Sequence, residues 1–201
     1  MSVLSGKKIL LGVSGGIAAY KTASLVRLFI KAGADVQVVM TPASKDFVTP
    51  LTLSTLSKKP VYFSFYKSEN GEWNNHVHIA ESADLILIAP ASANTLSKCA
   101  LGLCDNILLA TYLSSKGPVY FAPAMDLDMW KHPAVQHNIS LLKQYGHQII
   151  PPGNGELASG LIGEGRLAEP EDILLFIQQN LELPKPLSGK KALVSAGPTY
   201  E

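Results

Sequence analysis

The stretch Lys8-Ile9-Leu10-Leu11-Gly12-Val13-Ser14-Gly15-Gly16-Ile17-Ala18-Ala19-Tyr20-Lys21 decides the fold. Its first half is a short, nearly continuous apolar run, the pattern of a strand buried on both faces of a parallel sheet. Ile17, Tyr20, Lys21, Leu25, Leu28, Phe29 and Ala32 then recur close to helical spacing, and Gly33 is a stop. Asp35-Val36-Gln37-Val38-Val39-Met40 reads as a second strand. The result is a βαβ unit whose first turn, Gly12 to Gly16, carries only small residues. Such a turn lets the backbone approach a ligand, and the helix start offers unpaired N–H groups and a positive dipole end. A phosphate is the natural guest, with Ser14 adding a hydroxyl donor.

Two other readings of this turn are disfavoured. A dinucleotide fingerprint needs G-x-G-x-x-G and an acidic residue about 20 positions on. Here Ser14 replaces the second glycine and strand two ends in Met40-Thr41. This leaves room for a mononucleotide such as FMN. The letters Gly12-Val13-Ser14-Gly15-Gly16 also fit the G-x-S-x-G nucleophile elbow, but that turn normally follows a central strand with others before it.

The alternation continues outward. A helix is expected over 42–57, strands at 84–89 and 118–122, helices over 93–114 and onward to about 145, a short strand at 147–150, and a helix from Pro170. This argues for a doubly wound α/β fold with a mostly parallel sheet. Two segments interrupt it. Residues 58–78 are polar and aromatic, and residues 151–169, with five Gly and three acidic residues, read as a long loop of the kind that usually has a function. Beyond 182 the composition changes. Leu183-Pro184-Lys185-Pro186-Leu187-Ser188-Gly189 reads as a linker, and residues 191–201 as the first strand and turn of a further α/β domain. The expected division is therefore 1–182 and 183–201.

Composition narrows the class. With 201 residues, 47% hydrophobic, 16% charged and a net charge of +1, the chain can bury a core and has no basic field for nucleic acid or anionic lipid. No apolar run reaches membrane-spanning length and no secretory signal is legible, so a cytoplasmic location is expected. The two cysteines, Cys99 and Cys104, lack the spacing of a metal or disulfide framework, and no metal is expected.

Further motifs fall at strand ends. Pro90-Ala91-Ser92-Ala93-Asn94-Thr95 offers hydroxyls, an amide and helix-start N–H groups, with Ser92 or Asn94 as cap. His76 and His78 share one side if extended and diverge on a helix. In Pro123-Ala124-Met125-Asp126-Leu127-Asp128-Met129-Trp130, Asp128 can cap a helix near Met129, while Asp126 sits where ligands bind in this fold class.

These motifs, in this order across residues 6–182, resemble the flavin-dependent cysteine decarboxylases. The resemblance implies a Rossmann-like flavoprotein fold and FMN-dependent decarboxylation of phosphopantothenoylcysteine to phosphopantetheine in coenzyme A biosynthesis. FMN would be held by Ser14, Gly15, Thr41, Ser92, Ala93, Asn94, Thr95 and Met125. His76 would serve in the oxidation step, and Asn106 would be structural. Met125 and Asp126 would line the substrate, Leu157 and Ala158 would belong to a flap that closes over it, and Arg166 would order that flap through a carboxylate. The resemblance also implies a homotrimer and a ligase domain fused after the linker.

Two positions depart from the family pattern: Asp126 stands for an asparagine and Ser159 for the flap cysteine that donates the last proton. A hydroxyl is a far weaker acid than a thiol, which admits an arrest at the oxidised enethiol. Oxidative decarboxylation of peptidyl cysteine and an inactive flavin-binding regulatory subunit are the alternatives.

Overall fold

In the computed structural model, residues 2–67 and 70–181 are described; the expected linker and second-domain start at 183–201 lie outside them. The apolar runs become β1 (Lys8–Val13), β2 (Asp35–Met40), β3 (Leu85–Ala91), β4 (Val119–Pro123) and a short β5 (Gln148–Ile149). They pair in the order β2-β1-β3-β4-β5, every pair parallel. Ile9 aligns with Val36 on one side and Leu85 on the other, which fixes the central register.

Strand period two sorts the core. Ile9, Leu11 and Val13 face one layer together with Leu85, Leu87 and Ala89, and Leu10, Ile86 and Ile88 face the other. The first layer is covered by α1 (Thr22–Lys31), α2 (Pro50–Ser57) and α8 (Pro170–Leu181), through Leu25, Phe29, Leu53, Ile173 and Ile177. The second is covered by α3 (His76–Glu81), α4 (Ala93–Leu101), α5 (Ile107–Leu113) and α7 (Pro133–Gln144). Burial on both faces explains why β1, β3 and β4 read as continuous apolar runs rather than alternating ones. Among the described residues no helix is long and apolar enough to cross a membrane.

The helices are shorter than their periodicity suggests, for local reasons. The pattern over 17–32 opens as a 3-10 turn, Ile17–Lys21, before α1. The span 42–57 is a 3-10 turn at Pro42–Asp46 and then α2, restarted by the Thr49 cap and Pro50. The span 93–114 breaks because Gly102 ends α4 in the left-handed conformation and Asn106 caps α5, its Oδ1 accepting from the Leu109 N–H at 3.1 Å. The interrupting segment at 58–78 ends in a helix that periodicity does not signal. Asn75 caps it and His76 is its first residue, so His76 and His78 diverge.

The expected loop at 151–169 is instead mostly a β-hairpin. Here β6 (Gly153–Glu156) pairs antiparallel with β7 (Ile162–Arg166) apart from the main sheet. A register shift between Gly153 and Asn154 leaves Gly165 as an extra residue, a bulge. Glycine-rich strands lack the β-branched residues that mark a strand, which hid this element.

Candidate active site

The order β2-β1-β3-β4-β5 reverses direction between β1 and β3, and ligands in such sheets bind beyond the carboxyl ends of the strands at that point. Two cavities of about 490 and 510 Å³ open there, sharing Gly15, Ala124 and Met125 as a common wall. Each falls within the size range of small-molecule sites.

The larger cavity takes in Thr41, Ser92, Ala93, Asn94 and Thr95 with Gly15 and Met125, which are all but one of the residues expected to hold FMN. Ser92 caps α4, its Oγ accepting from the Thr95 N–H at 3.3 Å. The first N–H groups of α4 have no intrahelical acceptor and offer an anion a seat. Thr41 Oγ1 is buried with no hydrogen-bond partner. An orphaned hydroxyl in a cavity wall suits a polar ligand such as FMN, because leaving it unpaired costs free energy. Thr41→Val should therefore hold or raise apo stability by up to about 1 kcal/mol while weakening FMN binding roughly tenfold. Thermal melting and flavin titration check both halves, and a loss of apo stability with unchanged flavin affinity would refute this role for Thr41.

Ser14 needs correction. It is fully buried and lines neither cavity. Its Oγ donates to the Pro90 carbonyl at 2.7 Å and accepts from the Ser92 N–H at 2.9 Å. The hydroxyl joins the β1 and β3 turns, and its single proton is not left for a ligand. Gly12 is also a packing residue: a Cβ there would lie 2.6 Å from Leu108 Cδ1. Of the three glycines in this turn, Gly16 alone opens onto empty space, while a Cβ on Gly15 would press on Ala43 at 3.0 Å.

The other cavity brings together Met125, Asp126, Leu157, Ala158 and Arg166, the expected substrate residues. Asp126, not Asp128, caps the following helix, α6 (Leu127–Lys131). Its Oδ1 accepts from the Leu127 N–H at 2.7 Å, so the helix starts two residues earlier than the Asp128 reading allows. The hairpin is clamped onto this turn. The Met125 N–H donates to the Gly165 carbonyl at 2.9 Å, and Trp130 Nε1 donates to Glu164 at 3.3 Å. Gly163 meets Leu127 so closely that a Cβ would lie 2.6 Å from its Cδ1.

Arg166 finds its carboxylate in Glu169, 3.0 Å away. The partner missing from the sequence reading is Lys21. Its buried Nζ donates to Glu169 at 2.9 Å and to the Leu167 carbonyl at 3.3 Å, and it too lines the cavity. Hydrogen bonding from Lys21 holds the Glu169 carboxyl below its ordinary range, with a further contribution from Arg166. Helical spacing had placed Lys21 on the face of a helix, and only the closeness of residues 21 and 169 in space reveals its role.

Ser159 and His76 stand apart. Ser159 is exposed on the turn 157–160 at the hairpin tip, one residue beyond the cavity wall. His76 lines neither cavity. Its ring meets Phe65 and Trp73 edge-on at 6.2 and 5.8 Å, and its Nδ1 is buried without a partner. Cys99 is buried on α4, which pushes its thiol up to about 12 and leaves it inert. Among the described residues no cluster of His, Cys, Asp and Glu is arranged for a metal.

A parallel sheet of this order with a mononucleotide-sized cavity at its switch point defines a flavodoxin-like α/β ligand-binding protein. More narrowly, the family profile described as Flavoprotein matches residues 2–182, and the chain belongs to that family. A cysteine/cysteine sulfinic acid decarboxylase from an unknown prokaryotic organism is 52% identical over 158 residues, covering 77% of this chain and 44% of that protein. The coenzyme A biosynthesis bifunctional protein CoaBC of Bacillus subtilis is 44% identical over 99% of this chain and 50% of its own length. A probable phosphopantothenoylcysteine decarboxylase of Streptococcus mutans is 48% identical over 87% of this chain and 99% of that protein. The chain thus spans about half the length of the bifunctional relative. Among solved structures, a cysteine-to-serine mutant of PPC decarboxylase complexed with pantothenoylaminoethenethiol matches with a TM-score of 0.79 at 34% identity, over 89% of this chain and all of that one.

Proposed function

We propose that this chain binds FMN and decarboxylates phosphopantothenoylcysteine to phosphopantetheine, as the coenzyme A biosynthesis enzyme of that class. The observation that carries the reading is coverage: the Streptococcus mutans protein of that name is matched over 99% of its length at 48% identity. The cavity pair supports it, since one half suits a flavin and the other adjoins it through Gly15, Ala124 and Met125.

When bound, FMN supplies reversible two-electron oxidation at the substrate's cysteine side chain, the step that makes loss of CO2 feasible. Thr41, Ser92 and the start of α4 hold the cofactor. Met125 lies on the wall between cofactor and substrate. Leu157 and Ala158 cover the substrate and exclude water, and Arg166 braces the hairpin that carries them. In this reading the chain forms a trimer in which His76 serves a neighbouring copy. Its absence from both cavities of its own chain, and the exposed Tyr66 and Trp73 near it, support that arrangement. Ser159 leaves the final protonation to a weaker acid than a thiol. The ligase domain fused after residue 182 and a cytoplasmic location belong to the same reading.

The product mass after incubation of the flavin-loaded protein with phosphopantothenoylcysteine tests it. Loss of CO2 alone is expected, from a protein sedimenting at three protomer masses. Loss of CO2 and two hydrogens would place the arrest at the enethiol. Unchanged substrate with FMN bound would sink the decarboxylase reading.

A further inference from the structure

The cavity that suits the flavin has one side chain of each charge in its wall, Lys98 and Asp105, and neither is among the residues expected to hold FMN. Lys98 lies on α4, four residues beyond Asn94 and three beyond Thr95, so the three share one helix face. Side chains on a helix lean toward its N-terminus, which directs Lys98 back along that face toward the unpaired N–H groups of the helix start. In the turn between α4 and α5, Asp105 accepts a hydrogen bond from Lys98 Nζ on Oδ2 and one from Asn106 Nδ2 on Oδ1, the latter at 2.9 Å. Asn106 in turn caps α5. The ammonium is thus tied, through Asp105, to the cap of the next helix.

The tie leaves most of the ammonium unused. It has three donors, and among the described residues Asp105 takes one of them. With 24% of the Lys98 side chain exposed against 56% of Asp105, the cation is the more enclosed member of the pair. Hydrogen bonding from Lys98 holds the Asp105 carboxyl below its ordinary range, so the pair is ionised and the wall is electrically balanced. The other polar side chains of the wall, on Thr41, Ser92, Asn94, Thr95 and Asn106, are neutral. A phosphate monoester carries about −1.5 to −2 charges at pH 7. Lys98 is the one side chain of this wall that can answer such a charge. Without it the wall would hold Asp105 alone and repel an anion.

We propose that Lys98 is the residue by which this cavity selects a phosphorylated flavin over the free one, its spare donors on the phosphate seated at the start of α4, and that Asp105 is its positioning residue. This rests on the reading of the cavity as the FMN site. The helix start offers an anion roughly half a positive charge, spread over several N–H groups. A fixed ammonium adds a whole charge through charge-assisted hydrogen bonds, the stronger class. Riboflavin, which is FMN without the phosphate, gains nothing from it.

Fluorescence titration of the flavin-free chain with FMN and with riboflavin tests this. The parent protein should bind FMN at least about tenfold more tightly than riboflavin. Lys98→Met removes the charge but keeps an unbranched stem and a good helix former, so the variant should fold. It should weaken FMN roughly ten- to hundredfold and riboflavin less than about threefold. Lys98→Arg, which keeps the charge, should restore most of the preference. The midpoint potential of the bound flavin should not move in either variant. Equal affinities for the two flavins in the parent protein would overturn the proposal, and that measurement needs no variant. So would an equal weakening of both flavins by Lys98→Met with a shifted potential, which would put the ammonium at the flavin ring. A lowered melting temperature with both affinities intact would reduce the ion pair to a tie between helices and likewise overturn it. If the parent protein binds neither flavin, the FMN reading of the cavity fails and the role of Lys98 falls with it.

Discussion

Gly165→Val will leave the sheet folded and the flap unlatched. Gly165 has φ of +137°, a conformation that side chains rarely adopt, and its missing Cβ lies against the Met125 carbonyl oxygen. A valine must resolve a backbone strain of about 1–3 kcal/mol and an overpacking cost of about 1–3 kcal/mol at the same place. The hairpin has few means to absorb this. It is a two-stranded ladder clamped to the rest of the protein through Met125, Leu127, Trp130 and Glu169. A penalty of about 3–5 kcal/mol corresponds to a closed flap depleted roughly 150- to 4000-fold. Turnover should fall by a similar factor while FMN occupancy, read from flavin absorbance, and the main thermal transition change little. Normal turnover would mean that the hairpin does not need this approach to the Met125–Leu127 turn.

Ser14→Ala will act on the junction of the β1 and β3 turns rather than on the hairpin. The hydroxyl is fully buried and makes two bonds, to the Pro90 carbonyl and from the Ser92 N–H. Removing it strands the Ser92 N–H, while the Pro90 carbonyl keeps its bond from the Ser14 backbone N–H at 3.3 Å, so a loss of about 1–3 kcal/mol is expected. Denaturant unfolding of the apoprotein should show a lowered midpoint with an unchanged slope. FMN affinity should fall as well, because the start of α4 is held in place by the same bond. A loss below about 1 kcal/mol would contradict the buried pairing. Together with Thr41→Val, this separates two hydroxyls that look alike in the sequence: one holds the scaffold, and the other is buried without a partner.

β1, β3 and β4 were legible because strands buried on both faces announce themselves as apolar runs, and the edge strands β2 and β5, partly exposed, also fall within their expected spans. The helices were legible in kind but not in extent. Periodicity carries through a left-handed Gly102 or an Asn106 cap without registering the break. The hairpin was not legible, since Gly153-Asn154-Gly155-Glu156 owes its conformation to close packing against Leu127 and Met125 rather than to strand propensity. At the site, turn chemistry pointed to Gly15, residues 92–95 and Asp126 at the strand ends, and the family resemblance added Thr41 and Met125; all of them line the two cavities. The role of Lys21 depends on a contact 148 residues away in the chain, which no local pattern encodes. Ser14 was placed correctly in the turn, but which group its proton serves is a matter of three-dimensional detail.

Ser159 sits on an exposed four-residue turn, where its Oγ accepts one long bond, from the Leu161 N–H at 3.4 Å. Almost nothing in the architecture depends on what occupies that position. An exchange there should therefore carry little penalty in folding, so that its effect would fall on whatever chemistry the tip performs. The tip of the flap is in this sense a test bench, mounted on a scaffold indifferent to what is tried on it.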